Sequence, residues 1–330
     1  MRKEYTVIPE DAVVIGNRAY FTSSTYNGFF YSEVGEEYAQ HIGAIPGEMI
    51  NGERLYASLQ SVDERFICMI PFTAKEIAVY DIINDSFFKI PLNDDMQEKT
   101  MKFMASAEVD GVVFAFGLFD TFVYKIDVYQ NTCLKVCSWE EKLERSKVFD
   151  DNDAFFRYQT QLYDGKIYVP FCNANAVLIY DYKRNDCEIV VFDDLDNGYS
   201  GVWRNGEVFY FSPRKVGQRG LRWNIKNDSA DYLADSDKNI IGLCTENNKV
   251  IYCSCDEFSF IRDDNLVYDT KEEIIRYYKT TNKNTWSVRV SEFIESKVDM
   301  KSIVCGKMVY ETEWFKFGSY LNSISRIDEV

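Results

Sequence analysis

The chain has 330 residues, 46% of them apolar, and its 37 basic and 53 acidic side chains give a formal charge of −16. So acidic a chain is a poor match for a nucleic-acid backbone, which needs a cationic face, and with only 6 prolines and ordinary apolar content it is neither disordered nor collagen-like. Aromatics reach 16%, with 23 Tyr and 24 Phe, a composition that favours strands.

The first ten residues, Met1-Arg2-Lys3-Glu4-Tyr5-Thr6-Val7-Ile8-Pro9-Glu10, contain no apolar core and no small-residue cleavage site, unlike a secretory signal. No stretch reaches the roughly 18 apolar residues of a membrane-spanning helix. The nine cysteines are scattered, without a CxxC pair, and His41 is the only histidine. These features predict a cytoplasmic protein with reduced, mostly buried thiols, no bound metal or cofactor, and no membrane insertion.

One pattern recurs along the chain: an apolar strand, a polar loop, then a second apolar strand ending in a small polar residue. Ala19–Phe21 leads to Phe30–Ser32, Ile67–Phe72 to Ala78–Asp81, and Val112–Phe116 to Tyr124–Asp127. Ile167–Phe171 leads to Leu178–Asp181, Val208–Phe211 to Arg222–Asn224, Val250–Cys253 to Leu266–Asp269, and Met308–Tyr310 to Tyr320–Asn322. The end positions are spaced by about 48 residues, the period of a β-propeller. Each unit fills out to four strands. In the third these are Lys102–Val109, Val112–Gly117, Phe122–Asp127 and Cys133–Ser138, with turns at Asp110-Gly111 and Gln130-Asn131. Further turns are expected at Asp164-Gly165, Arg184-Asn185-Asp186, Asn205-Gly206 and Asn247-Asn248.

The expected fold is therefore all-β: a single domain over 1–330, a seven-bladed β-propeller of four-stranded blades. Six blades is the alternative if the first and last copies share one sheet. The seventh unit runs out of chain before its outer strand. Residues 4–9, which resemble the outer strand Phe87–Asp94, are expected to pair with that last blade and close the ring. Inserts near 139–152, where Glu140–Arg145 is rich in helix formers, and near 287–300 read as decorated inter-blade loops.

With their Tyr-Asp third strands, the units resemble kelch-like propeller repeats over nearly the whole chain, and look like divergent kelch-like proteins of anaerobic bacteria. Where kelch repeats usually carry Gly-Gly, this chain reads Pro71-Phe72, Gly117-Leu118, Pro170-Phe171 and Ser212-Pro213. The resemblance implies an interaction or ligand-binding platform, with a minority of relatives being enzymes.

Candidate chemistry is sparse. No GxSxG or HExxH motif occurs, and any nucleophile–histidine system would need His41, which reads as part of the first blade's outer strand. Asp81, Asp127, Asp181 and Asp269 recur at equivalent positions and are expected to cap turns. The fifth unit stands out by gathering Arg204, Arg214, Lys215, Arg219, Arg222 and Lys226 beside Trp203 and Trp223. Arg beside aromatics suits an anionic or sugar-bearing ligand, or a protein partner. Other loops expected around the same mouth contribute Tyr26, Asn27, Lys75, Asp120, Asn173, Asn175, Arg262 and Trp314. The leading expectation is a non-catalytic binding scaffold. The alternative is a divalent-metal-dependent hydrolase, lactonase or lyase acting on a sugar derivative, with Glu108, Asp120, Asn173 and Asn175 as candidate oxygens.

Overall fold

The computed structural model describes residues 5–7, 9–23, 27–33, 38–49, 52, 54–146, 153–157, 159–193, 195–235, 240–246, 249–254, 260–262, 267–268 and 288–290. The strands follow the sequence repeat. The first group is β1 (Tyr5–Val7), β2 (Pro9–Ile15), β3 (Arg18–Ser23), β4 (Phe29–Glu33) and β5 (Tyr38–Gly43). The second is β6 (Tyr56–Val62), β7 (Phe66–Pro71), β8 (Ile77–Asp81) and β9 (Ser86–Ile90), followed by the short helix α1 (Asp94–Gln97). The third is β10 (Phe103–Val109), β11 (Val112–Gly117), β12 (Phe122–Asp127) and β13 (Thr132–Ser138), followed by helix α2 (Glu140–Ser146). The fourth is β14 (Gln161–Tyr163), β15 (Lys166–Pro170), β16 (Ala176–Asp181) and β17 (Asp186–Val191). The fifth is β18 (Tyr199–Asn205), β19 (Val208–Pro213), β20 (Arg219–Asn224) and β21 (Ser229–Asp235). The sixth is β22 (Ile240–Glu246), β23 (Lys249–Ser254), β24 (Phe260–Arg262) and β25 (Val267–Tyr268), and β26 (Val288–Val290) stands apart in sequence.

The described strands make five four-stranded antiparallel sheets and one six-stranded sheet of order β1-β26-β5-β4-β3-β2. In the four-stranded sheets the order follows the chain, so each is a meander. First strands of neighbouring sheets touch. Leu59 N on β6 donates to Asp11 Oδ2 on β2 at 2.8 Å, and the hydroxyls of Ser58 on β6 and Ser106 on β10 lie 2.8 Å apart. Successive sheets thus lie side by side through their first strands, a propeller-like arrangement.

The core lies between sheets. Between the third and fourth it holds Phe114, Phe116, Phe171 and Tyr180 around Trp139. Trp139 is fully buried and is met edge-on by Phe155 and Phe171, with ring centres 4.8 and 5.5 Å away. The insert near 139–152 is therefore anchored at its start by a core tryptophan, and α2 forms where helix formers were expected.

The N-terminal strand pairs, but not as expected. β1 pairs antiparallel with β26, which lies parallel to β5 on the outer edge of the first sheet. Its partner comes from the segment read as an inter-blade insert. The seventh unit lies outside the described residues.

Turn chemistry explains the hairpins. Asp110-Gly111 and Asp164-Gly165 have φ of 51° and 81°, and 47° and 72°, the paired left-handed conformations of a type I′ turn. In the fifth sheet Asn205 still belongs to β18 and the turn begins at Gly206, with φ 60°. The Asn247-Asn248 turn lies outside the described residues. The third-strand Asp residues do cap their turns. Asp81 Oδ1 accepts from Ile83 N and Asn84 N, Asp127 from Gln130 N, and Asp181 from Lys183 N and Arg184 N. Asn224 accepts from Lys226 N in the same way. Asp269 lies outside the described residues.

Candidate functional site

Antiparallel strands alternate in direction, so the loops between second and third strands share one end of the sheets with the crossovers from each fourth strand to the next first strand. This end, the loop face, is stitched by main-chain hydrogen bonds. Phe72 N donates to Leu55 O, Lys102 N to Phe72 O, Leu118 N to Lys102 O, and Phe155 N to Leu118 O. Cys172 N then donates to Phe155 O, Tyr199 N to Phe171 O, and Arg214 N to Gly198 O. By this pattern Phe72, Leu118, Cys172 and Arg214 occupy one repeated position. Beside it, the first strand of several sheets carries a bulge, between Tyr56 and Ser58, Phe103 and Ala105, and Tyr199 and Gly201. Ala57 and Met104, the extra residues of two bulges, pack with Phe72 and Leu118 into a small buried apolar cluster.

Four of the residues singled out from sequence, Arg214, Asn27, Asp120 and Asn175, hold this face together. Arg214 replaces an apolar side chain at the repeated position, and its guanidinium is mostly buried. Its Nη1 donates to Asp153 Oδ2 at 2.7 Å and Cys172 O at 2.9 Å, and Nη2 to Asp153 Oδ1 at 3.2 Å. This guanidinium holds the Asp153 carboxyl below the usual range. Asn27 is buried and pins the β5–β6 crossover, donating to Ile45 O and Glu48 O and accepting from Ile45 N. Asp120 accepts from Lys99 Nζ at 2.8 Å, Tyr124 Oη at 2.6 Å and Phe122 N at 3.1 Å. Asn175 is fully buried between the fourth and fifth sheets, where it donates to Asp193 and to Tyr232 Oη and accepts from Tyr199 Oη. Asn173 is half-buried in the same β15–β16 loop.

The basic cluster does not converge on one point. Trp203 lies near the β18–β19 hairpin, at the opposite end of the fifth sheet, and Arg222 is in mid-strand, 3.5 Å from Asp231. Lys215 and Arg219 are exposed at the β19–β20 loop, where the Arg219 main chain is clamped by Asn197. Lys75 is exposed on the β7–β8 loop. Arg262 lies on β24, while Tyr26 and Trp314 fall outside the described residues.

The candidate metal oxygens do not gather either. Glu108 and Asp120 sit at opposite ends of β11, and Glu108 Oε1 accepts from Gly111 N at 2.7 Å to close the β10–β11 turn. Among the described residues no cluster of three or more His, Cys, Asp or Glu side chains has the spacing of a cation site. His41 is buried on β5, its ring centre 4.9 Å from that of Phe30.

Sequence reasoning missed two features. Lys102 is buried, donates from Nζ to Lys99 O at 2.7 Å, and has its pKa lowered by that burial. The second is an apolar set on the loop face. Met49 and Met101 on crossovers, Phe119 on the β11–β12 loop, Leu195 on the β17–β18 crossover and Val216 on the β19–β20 loop are all exposed, Met49 by 71% and Val216 by 55%. The opposite face shows Ile83, Leu162 and Tyr129, of which Tyr129 is tied down by its hydroxyl bond to Asp63 at 2.6 Å, and Leu134 is exposed on the outer strand β13. Apolar side chains in polar connections are visible in the sequence, but only the topology brings these five to one end.

No family model and no curated protein matches the chain. Among the described residues no helix is long and apolar enough to cross a membrane. Solved structures do match. Virginiamycin B lyase from Staphylococcus aureus is 10% identical, with a TM-score of 0.62 over 82% of this chain and 89% of that one. A streptogramin B lyase is 11% identical, with a TM-score of 0.58 over 81% and 86%. A chain of the mitotic checkpoint complex is 8% identical, with a TM-score of 0.55 over 77% of each chain. These neighbours are β-propellers, and at such identities the likeness establishes the fold alone: the chain has a β-propeller fold.

Proposed function

We propose that the chain is a single-domain, seven-bladed, kelch-like propeller that works in the cytoplasm as a non-catalytic scaffold, holding a protein partner on its loop face. One observation carries this reading. Five exposed apolar side chains, Met49, Met101, Phe119, Leu195 and Val216, come from five different connections at one end of the sheets. Apolar groups gathered on one face and rimmed by polar residues mark contact surfaces. Exposed Lys75 and Lys215 stand at the same end as exposed Asp94, Glu98 and Asp196, so the polar rim is mixed in sign and the apolar side chains would select the partner, an apolar segment of another protein. A small anionic or sugar ligand draws less support, because Arg214 is already bound to Asp153 and Asn175 to its own network. Two fold neighbours are lyases by name, but their likeness extends to the fold alone.

The test is affinity capture from a cytosolic extract of the native cell. The wild-type chain is compared with a Phe119→Glu/Val216→Glu variant of matched urea stability. A protein retained by the wild type and lost by the variant supports the scaffold. Equal retention by both baits, or none by either, removes it.

A further inference from the structure

Beyond the loop face, the outer strands of the third and fourth sheets bring two thiols together. Cys137 on β13 and Cys187 on β17 place their sulfurs 3.2 Å apart, 50 residues apart in sequence. Cys187 is buried, whereas Cys137 is partly open to solvent. The approach is built into the strand. β13 bulges at Val136, since Cys137 pairs with Val123 but Lys135 pairs with Tyr124. The bulge lets Val136 O accept from Asn185 Nδ2 of the next sheet at 2.7 Å and aims Cys137 across the same gap.

The surroundings make the two thiols unequal. The hydrogen bond between them holds Cys137 below the ordinary thiol range against the opposing effect of its partial burial; Lys142 of α2 adds to the lowering and nearby Asp186 opposes it. Lys142 is itself paired with Asp186 at 2.7 Å. Cys187 is pushed upward by the same bond and by burial. Tyr180 is the other titratable group near both sulfurs. A partly exposed, acidified thiol beside a buried thiol is the arrangement of an attacking and a resolving cysteine. A disulfide is about 2.04 Å long, so the sulfurs need approach by only about 1.2 Å.

We propose that Cys137 and Cys187 form a reversible redox pair that closes a disulfide between the third and fourth sheets when the chain meets a peroxide. The Cys137 thiolate attacks one oxygen of hydrogen peroxide, and the O–O bond breaks. Cys137 becomes a sulfenic acid, and the departing hydroxide takes a proton to leave as water. The Cys187 sulfur then displaces the sulfenic hydroxyl, which leaves as a second water with the Cys187 proton. Two thiols are oxidised and one peroxide is reduced to two waters, and a dithiol reverses the result.

The experiment treats the reduced full chain with hydrogen peroxide and maps its peptides without reduction. The expected result is one linked peptide pair containing Cys137 and Cys187, lighter by two hydrogens and restored by dithiothreitol, with Cys68, Cys133 and Cys172 still thiols. The staple spans 50 residues, and it should raise the melting temperature by about 5 °C. Cys137→Ser, which alters a partly exposed site, should show neither change. Cys137 found as a free thiol or a sulfinic acid in the treated wild type, with no Cys137–Cys187 peptide, overturns the proposal. So does a link through any other cysteine.

Discussion

The Tyr180 hydroxyl donates to Asn185 Oδ1 at 3.0 Å, and Asn185, at φ 54°, is the left-handed residue that closes the turn into the outer strand. The device recurs. Tyr80 reaches Asp85 at 2.6 Å, and Trp223 Nε1 reaches Asp228 at 3.1 Å, with φ of 47° and 52° at the accepting residues. An aromatic donor, a capping Asp or Asn, three free positions and a left-handed acceptor make one unit. In the third sheet Ile126 stands where the donor would be, yet Asn131 keeps φ 56°. Replacing Asn185 by Ala removes its bonds to Tyr180 and to Val136 O and strains the backbone, at a cost of about 3 kcal/mol, while Gly loses the same bonds without the strain and costs about 2 kcal/mol. Urea unfolding of both variants checks the order, and Ala no worse than Gly would refute it.

Arg214 is expected to act on stability. Arg214→Ala removes three hydrogen bonds and leaves Cys172 O without that donor, for an expected loss of about 2–3 kcal/mol. Lys215→Ala alters an exposed side chain and should stay within about 0.5 kcal/mol of wild type. Equal melting curves for the two variants would show that the Arg214–Asp153 pair holds nothing together.

Gly198 is needed for close approach. A Cβ there would sit 2.2 Å from Cys172 O, a main-chain atom that cannot swing aside. Gly198→Ala should cost about 2–4 kcal/mol or prevent folding. Gly206 has φ 60° but open space around it, so Gly206→Ala should cost only the backbone strain of about 1 kcal/mol. Thermal melts of the two variants would separate these mechanisms.

Acid should loosen the second sheet through Asp81. The Arg65 guanidinium, helped by donors at Asn84 and Ile83, holds its carboxyl at about 2. A carboxyl lowered in the folded state stabilises fully above its unfolded range, and that contribution is lost as pH falls from about 4 toward about 2. Asp81→Asn should therefore flatten the acid limb of the stability curve in that window and lower stability at neutral pH. An unchanged acid limb would show that Asp81 does not drive the transition.

The strands of the third unit were readable nearly to the residue, because Asp110-Gly111 fixes one turn and alternation fixes the register on both sides. The role of Arg214 was not. Its partner Asp153 lies in another connector, 61 residues away, and spacing along the chain does not reveal that approach. The kelch resemblance set Pro170-Phe171 and Ser212-Pro213 against Pro71-Phe72, but the register aligns Phe171 and Pro213 with Pro71, leaving Cys172 and Arg214 where Phe72 stands. The N-terminal strand was legible as a strand but not its partner, because three-residue strands such as Tyr5–Val7 and Val288–Val290 carry too little pattern to specify pairing. The exposed apolar set needed the topology, since exposure is not a property of one residue type.

The stitching on the loop face has a consequence for how the sequence can drift. Its joints are peptide groups, and a peptide group is present whatever side chain the residue bears. Phe, Leu, Cys and Arg can therefore hold the same post at positions 72, 118, 172 and 214 without breaking the collar. The frame itself therefore prescribes no one side-chain type at that rim, in keeping with a fold shared at 10% identity with its neighbours.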